Sequence, residues 1–246
     1  MHVSRDIPVP YRIIALMHER ERLLAYPVDE LAGIIRTTGF RCTCCGSCCT
    51  RSRNNHVFLL DRDVTEIMRI DPKALEPAPG PEFCDREGTL YVSGYAVRTN
   101  NDRNGSCWFL EDRRCSIYGR RFSVCRTYPH TLRWAPDESG NLSWALFSSP
   151  EPHGCLHQDL IDKECIDLAR EVKEYENALI THQIEFLEMI QDYFSVHHLM
   201  HDSTRYHHET QRYQEGEEVM IRVFSFGDFD LYRIRKGEYI PVKACS

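Results

Sequence analysis

The spacing of apolar residues along this 246-residue chain changes several times, and each change predicts a different kind of element. After Pro8 and Pro10, the residues Ile13, Leu16, Met17, Leu23 and Leu24 return at helical spacing, which predicts a helix with those side chains inward. A second, shorter helix is expected from Asp29 to Thr37, with Leu31, Ile34 and Ile35 inward and Gly39 ending it. The helical signal then stops. Cys42 to Cys49 reads as a compact loop, His56 to Leu60 as a strand, and Asp61 as the cap of a helix that runs to Ile70 and buries Val64, Ile67 and Met68.

Residues 71–90 are rich in proline, acid and glycine and read as loop. Tyr91 to Arg98 has strand character, Asn100 to Gly105 is a turn signal, and Cys107 to Leu110 reads as the returning strand. Leu132 to Trp134 and Leu142 to Phe147 flank Asp137-Glu138-Ser139-Gly140-Asn141 as a hairpin. Beyond Leu156 the pattern becomes that of one long helix, with Ile161, Leu168, Val172, Tyr175, Leu179, Phe186, Ile190 and Phe194 on one face. His197 to Glu217 is polar and reads as a linker. Alternation returns in Val219 to Phe224 and Asp230 to Ile234, around Gly227-Asp228.

The expected class is therefore α+β. A small, irregular, cysteine-rich domain with short strands (39–157) is packed with N-terminal helices (1–38) and a long amphipathic helix (158–198). A linker and a C-terminal β-hairpin (199–246) follow.

Composition narrows the function. The net charge of −7 gives no global attraction to nucleic acid or to an anionic membrane. No stretch approaches the roughly 20 apolar residues of a membrane helix, and the N-terminus has no secretory pattern. The expected location is the cytoplasm, with no membrane partner and with an unidentified protein or redox partner favoured over nucleic acid. In a compartment that keeps thiols reduced, the 12 cysteines point to metal rather than to disulfides.

Five cysteines fall within Cys42-Thr43-Cys44-Cys45-Gly46-Ser47-Cys48-Cys49. Their frame is C-x2-C-x2-C-C, with Cys44 extra. A C-x2-C turn brings two thiolates to neighbouring positions on one ion, and Gly46 permits the close approach. Cys48 and Cys49 are adjacent, and neighbouring side chains tend to diverge. That predicts two centres, or one polynuclear centre with a spare thiol. Further donors lie downstream at Cys107, Cys115, Cys125 and Cys155.

These downstream cysteines sit in Cys107-Trp108-Phe109-Leu110, Cys115-Ser116-Ile117-Tyr118 and Cys125-Arg126-Thr127-Tyr128-Pro129. With the early loop, this order resembles the CxxCxxCC zinc- or iron-chelating domains, including the YkgJ family of cysteine-cluster proteins, from about Phe40 to Leu156. The resemblance implies Cys42, Cys45, Cys48, Cys49, Cys107, Cys115, Cys125 and Cys155 as metal ligands. Cys44 lies outside the frame and is an alternative to Cys45. The family's Arg-Pro after the I-Y motif stands here as Arg121-Phe122. Flagellin lysine N-methylases share the cluster, so the resemblance also admits cluster-assisted methyl transfer. However, no G-x-G-x-x-G opens a helix after a strand.

All-thiolate donors suit zinc or an iron–sulfur cluster, and the sequence leaves both open. A [4Fe–4S] cluster would support electron transfer or oxidoreductase work. Closed zinc would make the chain a structural module for a protein or nucleic-acid partner. No catalytic residue stands out. Cys84, Cys165 and Cys245 read as small core residues. His56, His130, His153 and His157 are reserve ligands. Arg36, Arg41, Arg51, Arg53 and Arg126 offer positive charge to the thiolates or form a basic patch. Tyr118 and Tyr128 offer hydroxyls to sulfur or simply pack as core.

Overall fold

The computed structural model of the chain describes residues 7–136, 142–147 and 156–242. In chain order its elements are α1 (Val9–Ala25), α2 (Val28–Thr38), α3 (Arg51–Asn54), β1 (Phe58–Leu59), α4 (Asp61–Ile70), β2 (Leu75–Pro77), β3 (Phe83–Cys84), β4 (Thr89–Val92), β5 (Tyr95–Val97), β6 (Leu110–Glu111) and β7 (Arg114–Cys115). They continue as α5 (Ser123–Thr127), β8 (Thr131–Pro136), β9 (Leu142–Phe147), α6 (Asp162–Val196), α7 (Ser203–Gln214), β10 (Val219–Ser225), β11 (Asp228–Arg235) and β12 (Glu238–Pro241). The class is α+β, as expected. The chain folds as two compact units, one of residues 1–57 and 99–181 and the other of residues 58–98 and 182–246.

In the first unit, α1 buries Arg12, Leu16, Glu19 and Leu23. This is a narrower stripe than the sequence suggested: Met17 and Leu24 are exposed, because they lie a third of a turn or so off the line 12-16-19-23. α2 buries Leu31, Ala32 and Ile35, and leaves Ile34 exposed. It ends at Gly39, which adopts φ +53°. The first part of α6 adds Cys165, Ala169 and Val172 to this core, where Phe109, Ile117 and Phe122 are also buried. Ile161 precedes α6 and is exposed, so it does not belong to the inward face.

The second unit holds a five-stranded sheet in the order β12-β11-β10-β4-β3, in which β10 and β4 are parallel and the other neighbours antiparallel. A three-stranded sheet has the order β1-β5-β2. Tyr91, Phe186, Phe224 and Phe229 meet edge-on or tilted in its core. The expected strand Tyr91–Arg98 is two strands, broken at Ser93-Gly94. The 71–90 loop contains β2 and β3. Cys107 makes only an isolated bridge to Thr99, so the returning strand begins later, at β6.

Leu60, not Asp61, is the N-cap of α4. Its N–H donates to Asp63 at 3.4 Å, while Asp61 accepts from the Ser225 hydroxyl and the Phe226 N–H. Met68 is exposed. The expected linker contains α7, capped by Asp202 and tied by Arg212 to Glu209 and Glu217. That helix buries little besides Tyr206 and Glu209, so apolar periodicity does not announce it.

Gly39 gives a direct test of the packing. An added Cβ would stand 2.5 Å from the Gln158 carbonyl oxygen and 2.6 Å from its nitrogen, both rigid backbone atoms. Gly39→Ala is expected to lower stability by on the order of 2 kcal/mol or more, read as a fall in thermal midpoint. An unchanged midpoint would show that the 38–39 and 157–158 strips are not held together.

Candidate metal centre

Four local devices position the sulfurs. The first is the end of α2. Gly39 and Thr38 accept hydrogen bonds from Gln158 and His157, and Phe40 meets Tyr128 edge-on at 5.8 Å. The second is Gly46, with φ +76°. A Cβ there would lie 3.2 Å from Leu110 Cδ1 and 3.3 Å from the Arg113 carbonyl oxygen, so the cysteine loop rests on the β6–β7 hairpin. Cys115 lies on that hairpin, paired with Leu110.

The third device is a backbone strip. Cys107 N–H donates to the Cys49 carbonyl at 2.8 Å, Arg51 N–H to Gly105 at 2.8 Å, and Ser52 N–H to Asn104 at 3.1 Å. Asp102 closes the turn behind it by accepting N–H groups from Asn104 and Ser106. The fourth is α5, which carries Cys125.

The cysteines divide by burial. Cys84 and Cys165 are fully buried core residues, in line with their reading as small hydrophobes. Cys42, Cys44, Cys45, Cys48, Cys49, Cys107, Cys115 and Cys125 are all half-buried. All ten are free thiols. The Cys48 and Cys49 sulfurs stand 4.0 Å apart, contrary to the expected divergence. Ser47–Cys49 is a 3-10 turn, where successive side chains are about 120° apart rather than opposed as in a strand.

Backbone N–H groups two residues ahead are aimed at several sulfurs. Cys44 N–H donates to Cys42 Sγ at 3.4 Å. Ser47 serves Cys45, Phe109 serves Cys107, and Ile117 serves Cys115 in the same way. Such bonds favour the thiolate.

The thiols also act on one another's ionisation. Cys48 is pulled down to about 7, first by a hydrogen bond from Cys49 and further by the charges of Arg121 and Arg53. Cys49 is pushed up by serving Cys48, by burial, and by the charges of Cys48, Cys107 and Cys125. Burial raises Cys107 to about 11, with Cys115 and Cys48 adding to it. Cys125 is raised by burial and then by Cys107, Cys48 and Cys115. Cys115 is raised by burial and by Cys44 and Cys42, against the pull of Arg121. The downstream sulfurs of Cys107, Cys115 and Cys125 thus lie within electrostatic reach of the early loop. Cys155, His153 and Cys245 lie outside the described residues. Among the described residues, no group of three or more His, Cys, Asp or Glu side chains is placed so that it could hold a metal ion as it stands.

The arginines play different parts from those expected. Arg36 pairs with Asp162 at 2.8 Å, Arg41 with Glu164 at 3.2 Å, and Arg126 with Glu171. These carboxylates of α6 take up charge that the sequence offered as a patch. Arg53 does act on sulfur. Arg121, which stands out in the sequence only as part of the departure from the family's Arg-Pro, acts on Cys48, Cys115 and Cys125, and its guanidinium lies 4.0 Å from the Tyr118 ring centre. The Tyr118 hydroxyl in turn bonds Cys42. Tyr118 therefore has the sulfur-bonding role, whereas Tyr128 packs on Phe40. No sequence signal marked Arg121 beyond its place between Cys115 and Cys125.

Among the reserve ligands, His157 is exposed and His56 is pushed to about 4 by burial, with Arg51 adding to the shift. His130 is only 1% exposed, neither ring nitrogen has a hydrogen-bond partner, and burial pushes it to about 4. In the unfolded chain it takes up its proton near 6.5. Its depressed value therefore gives stability that is full above pH 6.5 and is lost as pH falls through about 4. His130→Met is expected to flatten this acid limb, by up to about 3 kcal/mol, in urea melts between pH 7 and 4. Parallel curves for the two proteins would refute it.

A second outcome concerns Cys48. In metal-free protein its alkylation by iodoacetamide is expected to reach half-maximum near pH 7, while Cys49 stays unreactive there. Cys49→Ala removes the donor and should move that midpoint upward, as followed by peptide mass spectrometry. An unmoved midpoint would break the assignment.

Residues 41–155 match the model of the CxxCxxCC family, whose description is "Putative zinc- or iron-chelating domain". No curated protein and no solved structure matches the chain. The matched segment contains every cysteine placed above at the sulfur cluster, and its description supports metal binding. The likeness to the CxxCxxCC family is thus confined to residues 41–155, a little under half of the chain.

Proposed function

We propose that the chain holds a single metal ion, zinc or iron, in a four-thiolate site made by Cys48, Cys49, Cys107 and Cys125. The observation that carries this reading is the 4.0 Å separation of the Cys48 and Cys49 sulfurs. Thiolates at about 2.3 Å from one tetrahedral ion stand about 3.8 Å apart, so this pair suits a shared ion. A [4Fe–4S] cubane gives each thiolate its own iron, and fits an adjacent pair this close less well. The Cys107–Cys49 backbone bond and the mutual charge effects with Cys125 support the other two donors.

When bound, the ion supplies either a fixed structural charge, as zinc, or one electron, as iron. The chain's own residues do the rest. Arg121 and Arg53 offset the anionic sulfurs, Phe109 N–H orients Cys107, and the strip 104–107 holds Cys49 in place. Cys42, Cys45, Cys115 and Cys155 are the further ligands that the family resemblance implies. Their thiolates would hold a second centre.

Anaerobic purification of the full chain, with elemental analysis and an absorption spectrum, tests this. The expected result is bound zinc or iron without acid-labile sulfide, lost on Cys48→Ser and again on Cys49→Ser. A brown protein with sulfide and broad absorption near about 400 nm would replace the single ion by a cluster. A chain that neither retains nor takes up zinc or iron would end the metal reading altogether.

A further inference from the structure

We infer that the outward face of α1 is the surface on which a second copy of this chain docks, with the two α1 helices antiparallel and the symmetry axis passing at Ile14.

The first observation is which residues the helix turns outward. α1 packs on α6: Lys173 Nζ donates to the Leu24 and Tyr26 carbonyls, and Arg20 reaches the Thr181 hydroxyl at 3.5 Å. The buried line of α1 is Arg12, Leu16, Glu19 and Leu23, and its two charged residues are only 8% and 7% exposed. A helix packed on one side ordinarily keeps its charges outside and its apolar stripe inside. α1 turns Tyr11, Ile14 and Met17 outward instead, between 43% and 66% exposed. These three lie within about a third of the helix circumference, opposite the line 12-16-19-23. Ile7, just before the helix, is exposed at the same end.

The extent of the face fits a pair of chains. Ile7, Tyr11, Ile14 and Met17 together expose on the order of 400 Å² of mostly apolar surface, a patch of the size that is often functional on a monomer. With the exposed Pro10, His18 and Glu21 at its border, two such faces can cover about 1,000 Å² in all, which is what a specific interface must clear.

The face is also complementary to itself. With the axis at Ile14, residue 14 meets its own counterpart, and Tyr11 comes level with Met17 of the second copy. All three contacts in the middle are then apolar. Leu24 lies past this overlap. At the edge, Glu21 comes level with the start of the other copy's helix. That start needs a negative charge: the N-cap is Pro8, with no side-chain hydrogen bond, and the first turn of α1 holds no acidic residue. Glu21 is well exposed, with His18 beside it at 3.6 Å. The apolar middle and the charged edge therefore both find their complements on an identical face, as a two-fold interface requires.

Sedimentation equilibrium of the full chain reads the outcome, under reducing conditions so that free cysteines do not link copies. The wild-type chain is expected to dimerise with a dissociation constant on the order of 10 µM, in keeping with a small interface. Ile14→Glu sets two like charges against each other at the axis and is expected to raise that constant about a hundredfold or more. Glu21→Arg, which places a cation at each helix start, is expected to raise it about tenfold. Met68→Glu, an equally exposed apolar position on α4, leaves it unchanged. Circular dichroism and the thermal midpoint of each variant, read on dilute monomer, are expected to match the wild type, because every substituted side chain is exposed.

A wild-type chain that stays monomeric well above 10 µM would overturn the inference. So would a dimer that survives Ile14→Glu, or one that Met68→Glu breaks as readily. An unmoved constant for Glu21→Arg would overturn the antiparallel arrangement.

Discussion

Everything in the first unit turns on holding several thiols close enough to feel one another's charge. Each ionised sulfur makes the next harder to ionise, and burial adds to the difficulty. Cys49, Cys107, Cys115 and Cys125 are all raised for these two reasons. A fold that assembles such a group must offset its repulsion. This chain does so with N–H groups aimed at sulfur, with Arg121 and Arg53, and, under the reading advanced here, with a cation. Metal binding then becomes part of folding, because the unfolded chain has no such site to offer.

The supporting architecture follows from that need. The early loop cannot surround an ion alone, so the chain lays residues 49–52 along 104–107 and seats Gly46 on the β6–β7 hairpin. Asp102 fixes the connecting turn by side-chain acceptance rather than by apolar contact. Asp162, Glu164 and Glu171 of α6 engage Arg36, Arg41 and Arg126. These pairs are largely exposed, so they add little stability and mainly take up arginine charge that would otherwise be open to the sulfurs.

Much of this was legible in the sequence because it is written in local pattern. Gly39 ends α2, the β8–β9 and β10–β11 hairpins surround their turn residues, and the C-x2-C-G spacing marks the loop. Cys165 separates from the site by its apolar helix stripe, and Cys84 by its distance from the cysteine motifs. What escaped detection depends on contacts distant in sequence or on backbone conformation. α7 is held by Asp202 and ion pairs, so it lacks an apolar stripe. The buried stripe of α1 includes Arg12 and Glu19, which no hydropathy pattern selects. Arg121 matters because of which sulfurs it faces, and that is a property of the fold.

The adjacent cysteines show most clearly how local conformation decides chemistry. In an extended chain Cys48 and Cys49 would point to opposite sides, and a pair of centres would be needed to use both. One turn of 3-10 helix brings their sulfurs to 4.0 Å and makes Cys49 a donor to Cys48. The same turn presents the Cys49 carbonyl to the Cys107 N–H, so the conformation that pairs two sulfurs also ties down the backbone of a third cysteine. Upstream, the left-handed residue Cys44 makes a second turn, which brings its N–H to Cys42 Sγ. Two short backbone turns in one eight-residue loop thus decide where its sulfurs lie. Their placement is set by φ and ψ rather than by the spacing of cysteines, which is why the frame of the sequence alone does not reveal it.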